Sequence, residues 1–137
     1  MIGKRYNRGQ SLLEFALAIP LLLLMVTVFI DVGRAIFTYS ELANAVREGT
    51  RYAIVHNTDT EEELSEVEDI VLHYSPMLNP DEMEITITPP SEPSYVISIS
   101  ATYIYRPITP GLSSILSGVN SINFEAHSSA LVAPLYQ

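Results

Sequence analysis

The sequence predicts an α+β fold. A long N-terminal helix, transmembrane in its first half and amphipathic in its second, packs on a small domain with one further helix and a roughly three-stranded antiparallel sheet. Three observations lead there. The chain carries no charge from Phe15 to Ile30. Apolar residues then continue at helical spacing to about Val55. Beyond Pro76 the pattern changes to the alternation of half-buried strands. At 137 residues the chain has room for one small domain and one extra element. It divides into a basic leader at 1–9, a transmembrane and packing helix at 10–55, and an acidic α+β unit at 56–137.

The first element is the membrane segment. Residues 12–30 span roughly 28 Å as a helix, close to the ~30 Å of a bilayer core. Lys4, Arg5 and Arg8 precede the run, whereas Asp31 and a single base, Arg34, follow it. The positive-inside rule leaves the N-terminus cytoplasmic and puts the C-terminal unit across the membrane. A secretory signal peptide would share the basic start. It would be shorter, without an acid such as Glu14, and would end at a small-x-small cleavage site rather than in a continuing helix.

The continuation is the second half of the same helix. Val32, Ile36, Tyr39, Ala43, Val46, Thr50 and Ala53 recur at alternating steps of four and three, a seam along one face. Arg34, Glu41 and Glu48 fall on another. Without a proline after Pro20, one helix is expected over 11–55, about 65 Å long. A simple anchor needs no such extension, but a helix that packs among copies of itself does.

After a polar break at 56–60, Thr60 and Glu63 have the spacing of a capping box. Glu61, Glu62 and Glu63 suit the positive end of a helix dipole. Leu64, Val67, Ile70, Val71 and Tyr74 carry the helix to Pro76. The acidic run lacks the Asp-x-Asp and glycine pattern of a calcium loop. Strands are expected at 83–88, at 95–105 with Ile97, Ile99, Ala101, Tyr103 and Tyr105 on one side, and at 120–132 with Ile122, Phe124 and Ala126 together. The stretch 106–118 is rich in turns, and Leu112, Ile115 and Leu116 suit one short helical turn. A unit of this size has a thin core, so the amphipathic half of the long helix is the layer expected to cover the sheet.

Charge and composition exclude several functions. Net charge is −9, and residues 52–137 carry twelve acids against one base, Arg106. Such a surface repels nucleic acid, whose phosphates need Lys and Arg. The absence of cysteine removes disulfides and thiolate chemistry. His56, His73 and His127 have no metal-ligand spacing. Neither a nucleophile elbow nor a phosphate loop occurs, so no catalytic residue, cofactor or metal is expected.

Glu14 stands apart, because an ionisable group in a membrane span is costly unless paired. Its surroundings, Gly9-Gln10-Ser-Leu-Leu-Glu14-Phe15 behind a basic leader, resemble the cleavage site of type IV prepilins. The wider stretch resembles the TadE-like pilins and pseudopilins of tight-adherence (type IVc) pili in four features, in order. These are Glu14-Phe15-Ala16, Pro20, Asp31-Val-Gly33-Arg34 and Arg47-Glu48-Gly49-Thr-Arg51-Tyr52-Ala53. The resemblance covers about residues 9–55.

It implies cleavage between Gly9 and Gln10 by a prepilin peptidase. The new ammonium on Gln10 would then pair with Glu14 of a neighbouring subunit, since in lipid either charge is costly alone. Phe15, Pro20 and the seam residues would pack helix against helix. Pro20 removes one helix hydrogen bond and can kink or melt its turn. Gly49 costs about 1 kcal/mol relative to Ala, which points to close approach of another element. Arg47 and Arg51, four apart on one face, either pair with Glu48 or with distal acids or simply decorate the surface. The implied function is a structural subunit of an adhesive pilus, with membrane lipid, other pilin subunits and the pilus assembly machinery as partners. The competing reading is a permanently anchored single-pass protein whose outer domain binds a ligand or partner in an envelope complex.

Overall fold

A computed structural model describes residues 7–56, 60–91, 95–109 and 121–132. Helix α1 runs from Asn7–Val55, 49 residues, beginning four residues before the start expected from hydropathy. It passes through Pro20 without a break, so the turn there stays helical. Helix α2 spans Glu61–His73. A short 3-10 turn at Pro80–Glu82, capped by the Asn79 side chain, leads into strand β1, Met83–Thr88. Strands β2, Val96–Tyr105, and β3, Ile122–Leu131, complete the sheet.

The sheet order is β1-β2-β3, antiparallel throughout. Ile99 lies opposite Ile87 on one side and Ser128 on the other, and Ala101 lies between Ile85 and Ala126. One face of β2 is therefore apolar, with Ile97, Ile99, Ala101 and Tyr105 buried. The other face carries Ser98, Ser100 and Thr102. This alternation marks a sheet covered on one side only.

The covering layer is the second half of α1 together with α2. Leu42, Ala45, Val46 and Ala53 of α1 and Val67 and Val71 of α2 close over Ile97, Ile99, Ala101 and Ala126. Small residues let the helices approach closely. A Cβ at Gly49 would meet Cγ2 of Val71 at 2.5 Å and Cδ1 of Ile99 at 3.5 Å. Helix α2 begins on the expected capping box, with Thr60 accepting from the Glu63 amide and Glu63 accepting from the Thr60 amide.

The first half of α1 projects away from this head. Its most apolar stretch has a mean hydropathy of 2.5 and is only 6% buried within the protein. A core helix of a globular protein would be mostly buried. This one leaves its apolar side chains without partners in the chain, as a single-pass membrane helix does. The expected turn at Leu112, Ile115 and Leu116, the basic side chains of the leader and its first six residues lie outside the described residues.

Candidate functional site

Two regions of α1 carry the residues singled out by sequence. At the N-terminal end Gly9, Gln10, Glu14, Phe15 and Pro20 are all exposed. Gly9 has nothing within 4 Å of a Cβ built on it. Gln10 donates from Nε2 to Glu14 Oε1 at 3.3 Å, one helical turn on. Thr27 returns its hydroxyl to the Leu23 carbonyl at 2.5 Å, so this polar group inside the apolar segment is satisfied by its own helix.

The second region is the junction where α1 leaves its apolar segment and meets the head. Asp31 is only 2% exposed. Its Oδ1 accepts from the Ile108 amide at 3.0 Å and its Oδ2 from the Thr109 amide at 2.7 Å. The Thr109 hydroxyl also donates to Oδ2. Arg34, one turn along, pairs with Oδ1 at 3.4 Å. The Tyr105 hydroxyl donates to the Asp31 carbonyl at 2.9 Å.

The Arg34 guanidinium lies 5.5 Å from the centre of the Tyr105 ring. Tyr105 stacks on Phe124 at 5.4 Å, and Phe124 meets Tyr39 edge-on at 6.1 Å. One carboxylate thus ties the chain after β2 to the helix, beside a cluster of three aromatic rings and an arginine. Burial alone would raise the Asp31 carboxyl. The Thr109 hydroxyl, the two amides and the Arg34 charge outweigh it and hold the group below the ordinary carboxylate range.

A second tie lies higher on α1, where Glu41 Oε1 accepts from the Met77 amide at 2.9 Å. Higher still, the Tyr52 hydroxyl donates to Glu66 at 3.1 Å, and its ring stacks on His56 at 3.8 Å. Loss of water and the Glu66 charge push the Tyr52 phenol above its usual range.

The structure divides the expected seam. Val46, Thr50 and Ala53 enter the core and Ala43 is half-buried, whereas Val32, Ile36 and Tyr39 are roughly half exposed or more. Gly33, in open space, and Arg34 flank the junction. Arg47 and Arg51 are exposed and Glu48 is half-buried, with no ion pair from the arginines among the described residues. Sequence reasoning gave Asp31 and Arg34 as motif residues and put Tyr105 on the inward face of its strand, but missed Thr109, the Tyr105–Asp31 bond and the Glu41–Met77 bond. The one local signal was an acid at the end of an apolar run, which reads equally well as a flanking charge. Elsewhere, a shallow hollow of about 280 Å³ beside Glu82, Glu84 and Asn123 holds no convergent chemistry, and among the described residues no group of His, Asp and Glu is placed to hold a metal ion.

Fold and junction together define a single-pass membrane protein in which one helix is both the apolar span and the spine of a small α+β head. Over that span and spine the chain is similar to a known family: residues 9–51 match the family model for TadE-like protein, from the Gly9–Gln10 step through the Asp31 junction to Arg51. No curated protein and no solved structure matches the chain.

Proposed function

We propose that this protein is a structural subunit, a pilin or minor pseudopilin, of a tight-adherence, type IV-like pilus. It assembles by packing of its N-terminal helices after the leader is removed between Gly9 and Gln10. Its work is assembly, with no catalysis of its own. The observation that carries the reading is a coincidence of boundaries. The TadE-like match covers the apolar span and the helix that holds the head, and the apolar part of that helix finds almost no partner within the chain. Lipid supplies the partner before assembly, and neighbouring helices supply it afterwards.

In this reading the N-terminus starts on the cytoplasmic side, where a prepilin peptidase meets it. The head faces the other side, and the pilus machinery draws the subunit out of the membrane. The test is the N-terminal sequence and abundance of this chain in sheared surface filaments. A chain beginning at Gln10 in that fraction is expected. A chain that keeps residues 1–9 and stays in the membrane fraction would instead be a permanent anchor whose head binds a partner.

A further inference from the structure

The outer side of α1, opposite the core, carries one continuous stripe: Phe37, Ser40, Asn44, Arg47 and Arg51, at steps of three and four. All five are exposed. The stripe is apolar at its membrane end and doubly basic at its head end. Arg47 and Arg51 have no ion-pair partner among the described residues, in a chain of net charge −9.

The complementary surface is on α2. Its outward face presents Glu62, Glu66 and Asp69, and just past its end Tyr74 and Met77 are exposed at 48% and 76%. Here the acids are nearest the far end of the head and the apolar pair nearest the membrane. Three contacts fix the level of α2 on α1: Tyr52 with Glu66, Gly49 with Val67 and Val71, and Glu41 with Met77. Helix α2 therefore descends α1 antiparallel, one residue for one. Both surfaces read charged, then apolar, in the same direction toward the membrane.

We infer that the Phe37–Arg51 stripe of α1 docks the outward face of α2 on a second copy of this chain. Copies crossing the same membrane are parallel, so the order of the two surfaces matches without inversion. A single axial slide of about three to four residues, roughly 5 Å, brings Glu62, Asp69 and Met77 to within about two residues of the levels of Arg51, Arg47 and Phe37, a mismatch that long charged side chains can span. The two surfaces are different patches of one molecule, so the contact is heterologous and propagates instead of closing as a two-fold dimer. It rests on the filament reading above and names which surfaces meet beyond the membrane span.

The absence of cysteine makes the test clean. Asn44 and His73 lie on the two surfaces, are exposed, and carry none of the proposed ion pairs. A tagged full-length Asn44→Cys copy is co-expressed with an untagged His73→Cys copy, and intact cells are treated with a short bis-maleimide. The mixed dimer is expected to exceed either same-site dimer. Arg47→Glu with Arg51→Glu should lower it roughly fivefold or more, the size that two exposed ion pairs supply. Adding Glu62→Lys and Asp69→Lys to the partner copy should restore it to within about twofold.

A dominant same-site dimer, or a mixed dimer indifferent to the charge reversals, overturns the proposal. Sheared filaments are measured in the same cells. Filaments without the mixed dimer remove this contact and leave the polymer, whereas a mixed dimer without filaments keeps the contact and removes the polymer. The absence of both removes both.

Discussion

Two glycines in α1 face opposite environments. Gly33 has open space around it, so Gly33→Ala should gain the helix propensity difference, up to about 1 kcal/mol. Gly49 lies under Val71, a β-branched side chain with little freedom to turn away. Gly49→Ala makes the same propensity gain but overpacks the α1–α2 contact, at about 1–3 kcal/mol. Denaturant titrations in detergent should show the first stabilised and the second destabilised. Asp31 makes the stability of the fold depend on pH. Its carboxyl is held low in the folded protein, so the folded state binds fewer protons and stability rises with pH. The contribution is complete above the ordinary carboxyl value of about 4 and is lost as pH falls through the lowered one. Asp31→Asn turns one accepting oxygen into a donor facing the Thr109 amide, at a cost of about 1–3 kcal/mol at pH 7. Thermal melts of the two proteins should differ most near pH 7 and draw together as pH falls below the ordinary carboxyl value of about 4, because acid removes the same charge from the wild type.

Elements were legible where their signal is local. The β1 expectation matches the strand residue for residue, and α2 starts on its capping box because Thr60 and Glu63 are three apart. Thr60→Ala should therefore cost about 1 kcal/mol. It should show first as faster hydrogen exchange at the Glu63 amide, with β2 unchanged. The packed face of α1 was harder to read. Hydropathy favours the Val32-to-Ala53 seam, whereas the core uses Leu42, Ala45, Val46 and Ala53 and the bare backbone of Gly49. Small residues register weakly on a hydropathy scale, yet they set how closely α2 and the sheet can approach. Asp31 was illegible as a buried group because its partners, Ile108 and Thr109, are 77 and 78 residues away. Nothing local distinguishes a clasp from a flanking charge.

At the scale of the whole molecule, the head satisfies itself and the span does not. Leu42 to Ala53 bury their apolar faces within the chain, while nearly all of Leu12 to Ile30 stays exposed there. Any energy of association in the first half of α1 must come from outside the chain, from lipid or, in the proposed filament, from other copies, and Glu14 is the charged group that would experience that exchange. If Glu14 only accepts a hydrogen bond from its own Gln10, an amide can accept that bond as well. Glu14→Gln would then be neutral or mildly stabilising, since a charge leaves the apolar segment. If Glu14 pairs with the new ammonium on Gln10 of a neighbour, the same change strands that ammonium in a low-dielectric site. Breaking one half of a buried pair costs about 3–5 kcal/mol. Repeated at every subunit addition, a loss of that size stops polymerisation. It leaves insertion, cleavage and the head intact, because the head's own ties at Asp31, Glu41 and Tyr52 lie beyond the span. We predict that Glu14→Gln accumulates in the membrane as a cut, folded monomer with few filaments in the sheared fraction. A normal filament yield from that mutant, measured beside its cleavage state, would leave Glu14 as an ordinary acid near the membrane surface.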